Sequence, residues 1–151
     1  MLQSSVAFGK ALAPTPDRAG DVVAIRAEIV LTAAQVALNQ IIEMVPLPAG
    51  CRAVDIILDT DDLDTNANPT ITLDVGLMSG DYGVNDGART IGAEFLSAVT
   101  TAQAGGVVRP TAKTAFRVAR SDVDRGIGIK IGTGSATAAG GTLGLTALYH
   151  G

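Results

Sequence analysis

Apolar side chains recur at every second position in several short stretches of this chain, and that period constrains the fold more than any other feature. Val23, Ile25, Ala27, Ile29 and Leu31 alternate with Arg26 and Glu28. Val54, Ile56 and Leu58 repeat the pattern, as do Ile71, Leu73, Val75 and Leu77. Ile127, Ile129 and Ile131 alternate with Gly126, Gly128 and Lys130, and Leu143, Leu145, Ala147 and Tyr149 close the series. A period of two puts one row of side chains on each face of a β-strand, so these stretches read as half-buried strands. Residues 41–45 add another short strand, ended by the turn-forming run Pro46-Leu-Pro48-Ala-Gly50.

The connections are read from their punctuation. Thr32-Ala-Ala-Gln35 has capping-box spacing and suits one helical turn. Strands 53–59 and 70–77 bracket the polar segment 60–69, which predicts an antiparallel pair with a long connection. Residues 79–87 form a turn-rich loop. A helix is expected over 89–104, because Ile91, Phe95, Ala98 and Ala102 fall on one stripe and Gly105-Gly106 would end it. Val107-Val108 and 115–119 suit short strands. The last two strands, joined by the Gly/Ser/Thr/Ala segment 132–141, predict a terminal hairpin. Residues 1–21, broken by Pro14 and Pro16, read as an extended N-terminal arm ahead of a β-rich domain at 22–151. About seven or eight short strands with one helix in an insertion make the chain mainly β, a β-sandwich or jelly-roll-like single domain.

Composition narrows the function. A length of 151 residues suits one domain, and 47% apolar residues supply a core. That core must be aliphatic, with no Trp, two Tyr and three Phe. Sugar-binding and nucleic-acid-binding surfaces usually rely on stacking aromatics, and a net charge of −4 also disfavours a polyanion partner. No run is long and apolar enough for a membrane span, and the N-terminus lacks the pattern of a secretion signal. Neither a nucleic-acid nor a membrane partner is therefore expected. Cys51 stands alone, so no intrachain disulfide forms, which fits synthesis in a reducing cytoplasm.

Catalytic constellations are missing at the level of residue types. His150 is the single histidine and sits beside the last residue, and Cys51 has no evident base. No phosphate-loop or dinucleotide fingerprint occurs at a strand-to-helix junction. The segment Asp59-Thr-Asp61-Asp62-Leu-Asp64-Thr-Asn66-Ala-Asn68 is the one tempting cluster. Asp62, Asp64 and Asn66 could converge on Ca²⁺ in a tight loop, but Ala67 and Leu73 stand where an EF-hand needs Gly and Glu. An acidic loop whose Asp and Asn residues serve turns is the plainer reading, and no cofactor is expected, with Ca²⁺ the alternative.

Charge is segregated along the chain. Residues 53–86 hold eight acids and no base, whereas 109–130 hold six bases against Asp122 and Asp124. Such patches can pair within the fold or between copies. The candidate interface residues are Arg109, Arg117 and Arg120 on one side, and Asp59, Asp61, Asp62 and Asp64 on the other.

The run Leu47-Pro-Ala-Gly50, Val54-Asp-Ile-Ile-Leu-Asp59, Asp61-Asp-Leu-Asp-Thr-Asn66 and Pro69-Thr-Ile-Thr-Leu-Asp-Val-Gly76 resembles small structural proteins of tailed bacteriophages, the decoration, cement or head-stabilising proteins encoded near the major capsid protein. The likeness covers residues 45–78 well and the rest in style. It implies a non-enzymatic part of the virion that binds the major capsid protein lattice on the capsid exterior as a homotrimer. A tail, neck or head-fibre subunit is the alternative within the particle, and a Ca²⁺-dependent binding module the alternative outside it.

Overall fold

The computed structural model describes residues 1–18 and 20–151. Its strands are β1 (Leu2–Gln3), β2 (Val22–Leu31), β3 (Ile41–Leu47), β4 (Arg52–Thr60), β5 (Thr72–Leu77), β6 (Leu96–Val99), β7 (Gly106–Val108), β8 (Arg125–Thr133) and β9 (Gly141–His150), with a four-residue helix α1 at Ser5–Phe8. They build a β-sandwich. One sheet, here the inner-lined sheet A, has the order β1-β3-β8-β5-β6, and sheet B has the order β2-β9-β4-β7. Every pairing is antiparallel except that of β1 with β3. The apolar rows read from the alternation meet between the sheets, where Ile56, Leu58, Leu73, Val75, Ile127, Ile129, Leu143 and Leu145 are wholly buried.

Both expected hairpins are instead crossings between sheets. β4 lies in sheet B and β5 in sheet A, and β8 and β9 are likewise in different sheets. Long polar connections allow this, because a segment such as 61–71 can span the roughly 10 Å between packed sheets, whereas a two-residue turn cannot. A bulge between Ala53 and Asp55 also shifts the register of β4, so Ala53 rather than Val54 faces the core.

The helix expected over 89–104 does not form. An extended path satisfies its backbone on the edge of β5 and on the 77–79 stretch: Phe95 N–H donates to Val75 O at 3.0 Å, Gly92 N–H to Leu77 O at 3.0 Å and Ser79 N–H to Thr90 O at 2.9 Å. Phe95 and Ala102 are buried as the stripe required, but from the residue just before β6 and from the short 3-10 turn Thr101–Gln103. Residues 115–119 are not a strand either; Lys113–Arg117 make a 3-10 turn that buries Ala115. The Thr32–Gln35 box is present, with Thr32 N–H donating to Gln35 Oε1 at 2.9 Å over the turn Ala33–Gln35.

The N-terminus is only partly an arm. β1 joins sheet A, and α1, capped by Ser4, buries Ala7 completely. Residues 9–18 run on without helix or strand. The chain's two tyrosines hold this segment: Tyr82 donates to Val6 O at 3.1 Å and Tyr149 to Pro14 O at 2.7 Å. Burial pushes both phenols up to about 12, the nearby Glu43 adding to the effect at Tyr82, so both remain donors across the physiological range.

Candidate functional site

The acidic loop closes one end of the sandwich. Leu63 is wholly buried beneath it and Asp64 is 1% exposed. Asp64 Oδ2 accepts from the backbone N–H groups of Thr70 (2.7 Å), Ile71 (3.2 Å) and Ala136 (2.9 Å), and Oδ1 accepts from Thr137 (2.8 Å). Burial alone would raise this carboxyl, but four backbone donors outweigh it and hold it well below the usual carboxylate range. One side chain thus ties the β4–β5 crossing to the β8–β9 crossing. This corrects two expectations for Asp64. Its oxygens are saturated by N–H groups and shielded from water, so it offers neither a lone pair to Ca²⁺ nor a charge to a neighbouring molecule. Asp62 and Asn66 are likewise turned to local work, accepting from the N–H groups of Asp64 and Asn68 at 2.9 Å each. Among the described residues, no three His, Cys, Asp or Glu side chains converge as a metal site.

The remaining charged candidates divide. Asp59 Oδ2 accepts from Arg26 Nη2 at 3.0 Å across the outer face of sheet B, and this hydrogen bond holds the Asp59 carboxyl below its ordinary value. Gly144 lies between them; a Cβ there would stand 2.5 Å from both Arg26 Nη2 and an Asp59 oxygen. Arg109 pairs with Asp55 at 3.3 Å. The segregated charges of Asp59 and Arg109 are therefore used inside the fold. Arg117, Arg120, Asp61 and Asp62 are exposed, although Asp61 also accepts from Thr142 N–H at 2.8 Å. Asp61 and Asp62 belong to the loop that packs on the β8–β9 crossing.

A buried ion pair escaped the sequence reading. Glu43 on β3 is wholly buried and accepts from Arg89 Nη2 at 2.7 Å. Arg89 also donates from Nε to Ser79 O at 2.6 Å and from Nη1 to Val84 O at 2.8 Å, while Gln3 Nε2 and Gly83 N–H donate to Glu43. The pair clamps the 79–91 segment and the N-terminus onto the outer face of sheet A. A lone Glu inside the apolar run Ile41-Ile42-Glu43-Met44-Val45 was the available signal, because an acid within such a strand demands a cation.

Apolar surface is exposed around the N-terminal segment, where Phe8 is 79% and Leu12 93% accessible. A groove of about 300 Å³ runs beside it, lined by Leu12, Ala13, Pro46, Pro48, Tyr82 and Asp124 among others. Cys51 is buried with its thiol pushed up by burial, as suits a packing residue. His150 Nδ1 lies 2.8 Å from Gly151 O. Among the described residues no helix is long and apolar enough to cross a membrane.

No protein-family model and no curated protein sequence matches the chain. Solved structures do. A chain in the capsid of Ralstonia phage GP4 is 50% identical over 99% of this chain and 97% of its own length, with a TM-score of 0.93. A chain of the cyanophage Pam1 capsid asymmetric unit is 28% identical over 91% and 90%, with a TM-score of 0.68. A chain from the acid-stable capsid of Helicobacter pylori bacteriophage KHP30 shares the fold, at 15% identity and a TM-score of 0.51. A β-sandwich matched over nearly its whole length to a chain of a phage capsid at 50% identity is a phage virion structural protein. The chain belongs to the family represented by the matched chain of the Ralstonia phage GP4 capsid.

Proposed function

We propose that this protein is a non-enzymatic decoration or cement protein that binds the major capsid protein lattice from outside and stabilises the head. The observation that carries this reading is the 50% identity, at nearly full length on both sides, to a chain of the Ralstonia phage GP4 capsid. The architecture supports an accessory role. A single sandwich of 151 residues with one short N-terminal segment suits attachment to a lattice already formed. Many copies, each burying a modest area, add up to a strong constraint on the shell through multivalency. The lattice-facing surface we assign to the N-terminal segment, where Phe8 and Leu12 stand free beside the groove. A net charge of −4 keeps the protein from competing for the packaged genome.

The test is a particle that lacks the protein. Electron microscopy should show intact, filled, tailed heads that lose DNA at a lower temperature than wild type, with stability restored by adding the purified chain. Heads that are tailless or unsealed would overturn the decoration role in favour of a neck or tail position. The substitution Leu12→Asp should leave the folded chain intact and abolish that rescue.

A further inference from the structure

Both tyrosine hydroxyls of the chain are directed at one short N-terminal segment. They reach it from different parts of the sandwich. Tyr149 is a wholly buried residue of β9 in sheet B, whereas Tyr82 belongs to the 79–91 segment over sheet A. Gly83 makes a seat beside Tyr82: a Cβ there would stand 2.6 Å from Lys10 Cγ and 3.2 Å from Ala7 O. Upstream, Ser4 N–H donates to Glu43 O at 2.9 Å and Ser4 Oγ to Met44 O at 2.6 Å. The turn after α1 is strained, since Lys10 has a φ of 48°, in the left-handed region that a residue with a Cβ avoids. Its N–H is tied to Ala7 O at 3.1 Å, and that of Ala11 to Val6 O at 3.0 Å. Just beyond this turn Leu12 is 93% exposed, and among the described residues the N–H groups of Leu12, Ala13 and Thr15 have no hydrogen-bond partner. Strain of this kind persists only where the surroundings over-determine it, and here they fix an apolar side chain out in water.

We propose that Tyr149, Tyr82 and the Gly83 seat are positioning residues for the capsid contact, holding residues 6–14 in their bound shape before Phe8 and Leu12 meet the lattice. The inference rests on the decoration reading above and adds which groups make that surface competent. The two pins bracket the exposed pair: Val6 lies two residues before Phe8, and Pro14 two residues after Leu12. Each pin donates to a backbone carbonyl, so it fixes the path of the chain and leaves the side chains between them free for a partner. A loose arm would lose its conformational freedom on docking, and that loss would weaken attachment. A segment already fixed at both ends loses little more, which is the benefit of preorganisation. Phe8 and Leu12 make the contact, and the tyrosines act through them.

The double variant Tyr82→Phe/Tyr149→Phe keeps both rings and removes both hydroxyls. It should melt within a few degrees of wild type and keep the same mass in sedimentation equilibrium. Backbone ¹⁵N order parameters of Leu12 and Ala13 should fall from about 0.85 to below about 0.6. Titrated onto heads that lack the protein, the variant should bind about tenfold more weakly than wild type, the effect of freeing about one residue's worth of backbone. Tyr82→Phe alone, at a half-buried position, should shift both readings the same way by less, and it decides the matter should loss of the Tyr149 hydroxyl disturb the core. A segment as rigid in the double variant as in wild type, or a loosened segment with undiminished head binding, would overturn this inference and leave the decoration reading standing. A wild-type chain that does not bind such heads would overturn both. A double variant of lower mass would also overturn it, by assigning the segment to contacts between copies.

Discussion

The two sheets treat their outer faces in opposite ways. On sheet A, β8 alternates Gly126 and Gly128 with isoleucines, and the glycine row is buried, not solvated. A Cβ on Gly126 would stand 2.3 Å from Glu43 Oε1, and one on Gly128 2.7 Å from Ile42 O and Met78 Sδ. The absent side chains make room for the Glu43–Arg89 clamp and for the 78–92 segment lying over the sheet. On sheet B the outer face is open, and it carries Arg26, Asp59, Asp55 and Arg109 as cross-strand ion pairs in contact with water. Its glycine, Gly144, gives space only to the ends of two flexible side chains. Period-two glycine therefore has two physical meanings: a seat for backbone and buried charge on one sheet, a crossing point for surface charge on the other.

Substitutions should break this contrast in graded fashion. The largest effect is expected from Glu43→Ala, which leaves the Arg89 guanidinium buried without its carboxylate and should cost about 3–5 kcal/mol in chemical denaturation. Gly76→Ala comes next, at about 3 kcal/mol, because the added Cβ would lie 2.3 Å from Gly92 O, a backbone atom that cannot swing aside. The matched change on the other sheet, Gly144→Ala, should cost only about 1 kcal/mol, since Arg26 and Asp59 can part. Asp59→Asn, which weakens the exposed pair while leaving the backbone alone, should be smallest, at or below about 1 kcal/mol.

Acid should separate a different pair. The Asp64 carboxyl is held below its unfolded value of about 3.9. Its contribution is thus complete above about pH 4 and is lost as the pH falls toward its folded value. Thermal melts of wild type should fall steeply with acid below that point. Asp64→Asn should melt lower at neutral pH and show a shallower acid slope.

What the sequence disclosed follows from the range of each interaction. The period-two rows located β2, β4, β5, β8 and β9, because alternation reports burial of one face regardless of partner. Partners were hidden: nothing in Ile71-Thr-Leu or Leu143-Gly-Leu says which sheet a strand joins when its connection is long enough to reach either. The helix expected over 89–104 failed because Ile91, Phe95 and Ala102 satisfy a helical stripe and an edge-docked chain equally well. The local turns of Asp62 and Asn66 follow from their spacing, but the burial of Asp64 was hidden, since two of its four donors come from Ala136 and Thr137 on a distant loop. Glu43 and Arg89 stand 46 positions apart, and only the fold brings them together.

The strand order has a consequence for how the chain can be made. β8 and β9 follow the other seven strands in chain order, yet they are interior strands of sheet A and sheet B. Among the described residues only β5 and β6 are both consecutive and paired, so almost every ladder must close a long loop, up to the pairing of Val22 with His150. Such non-local topology slows folding, and neither sheet can be assembled until its interior strand, Arg125–Thr133 or Gly141–His150, has been made. Until then β2 and β4 wait without the strand that joins them. The described sandwich therefore forms late relative to its own strands and all at once, because β8 and β9 are the pieces that join the rest of each sheet.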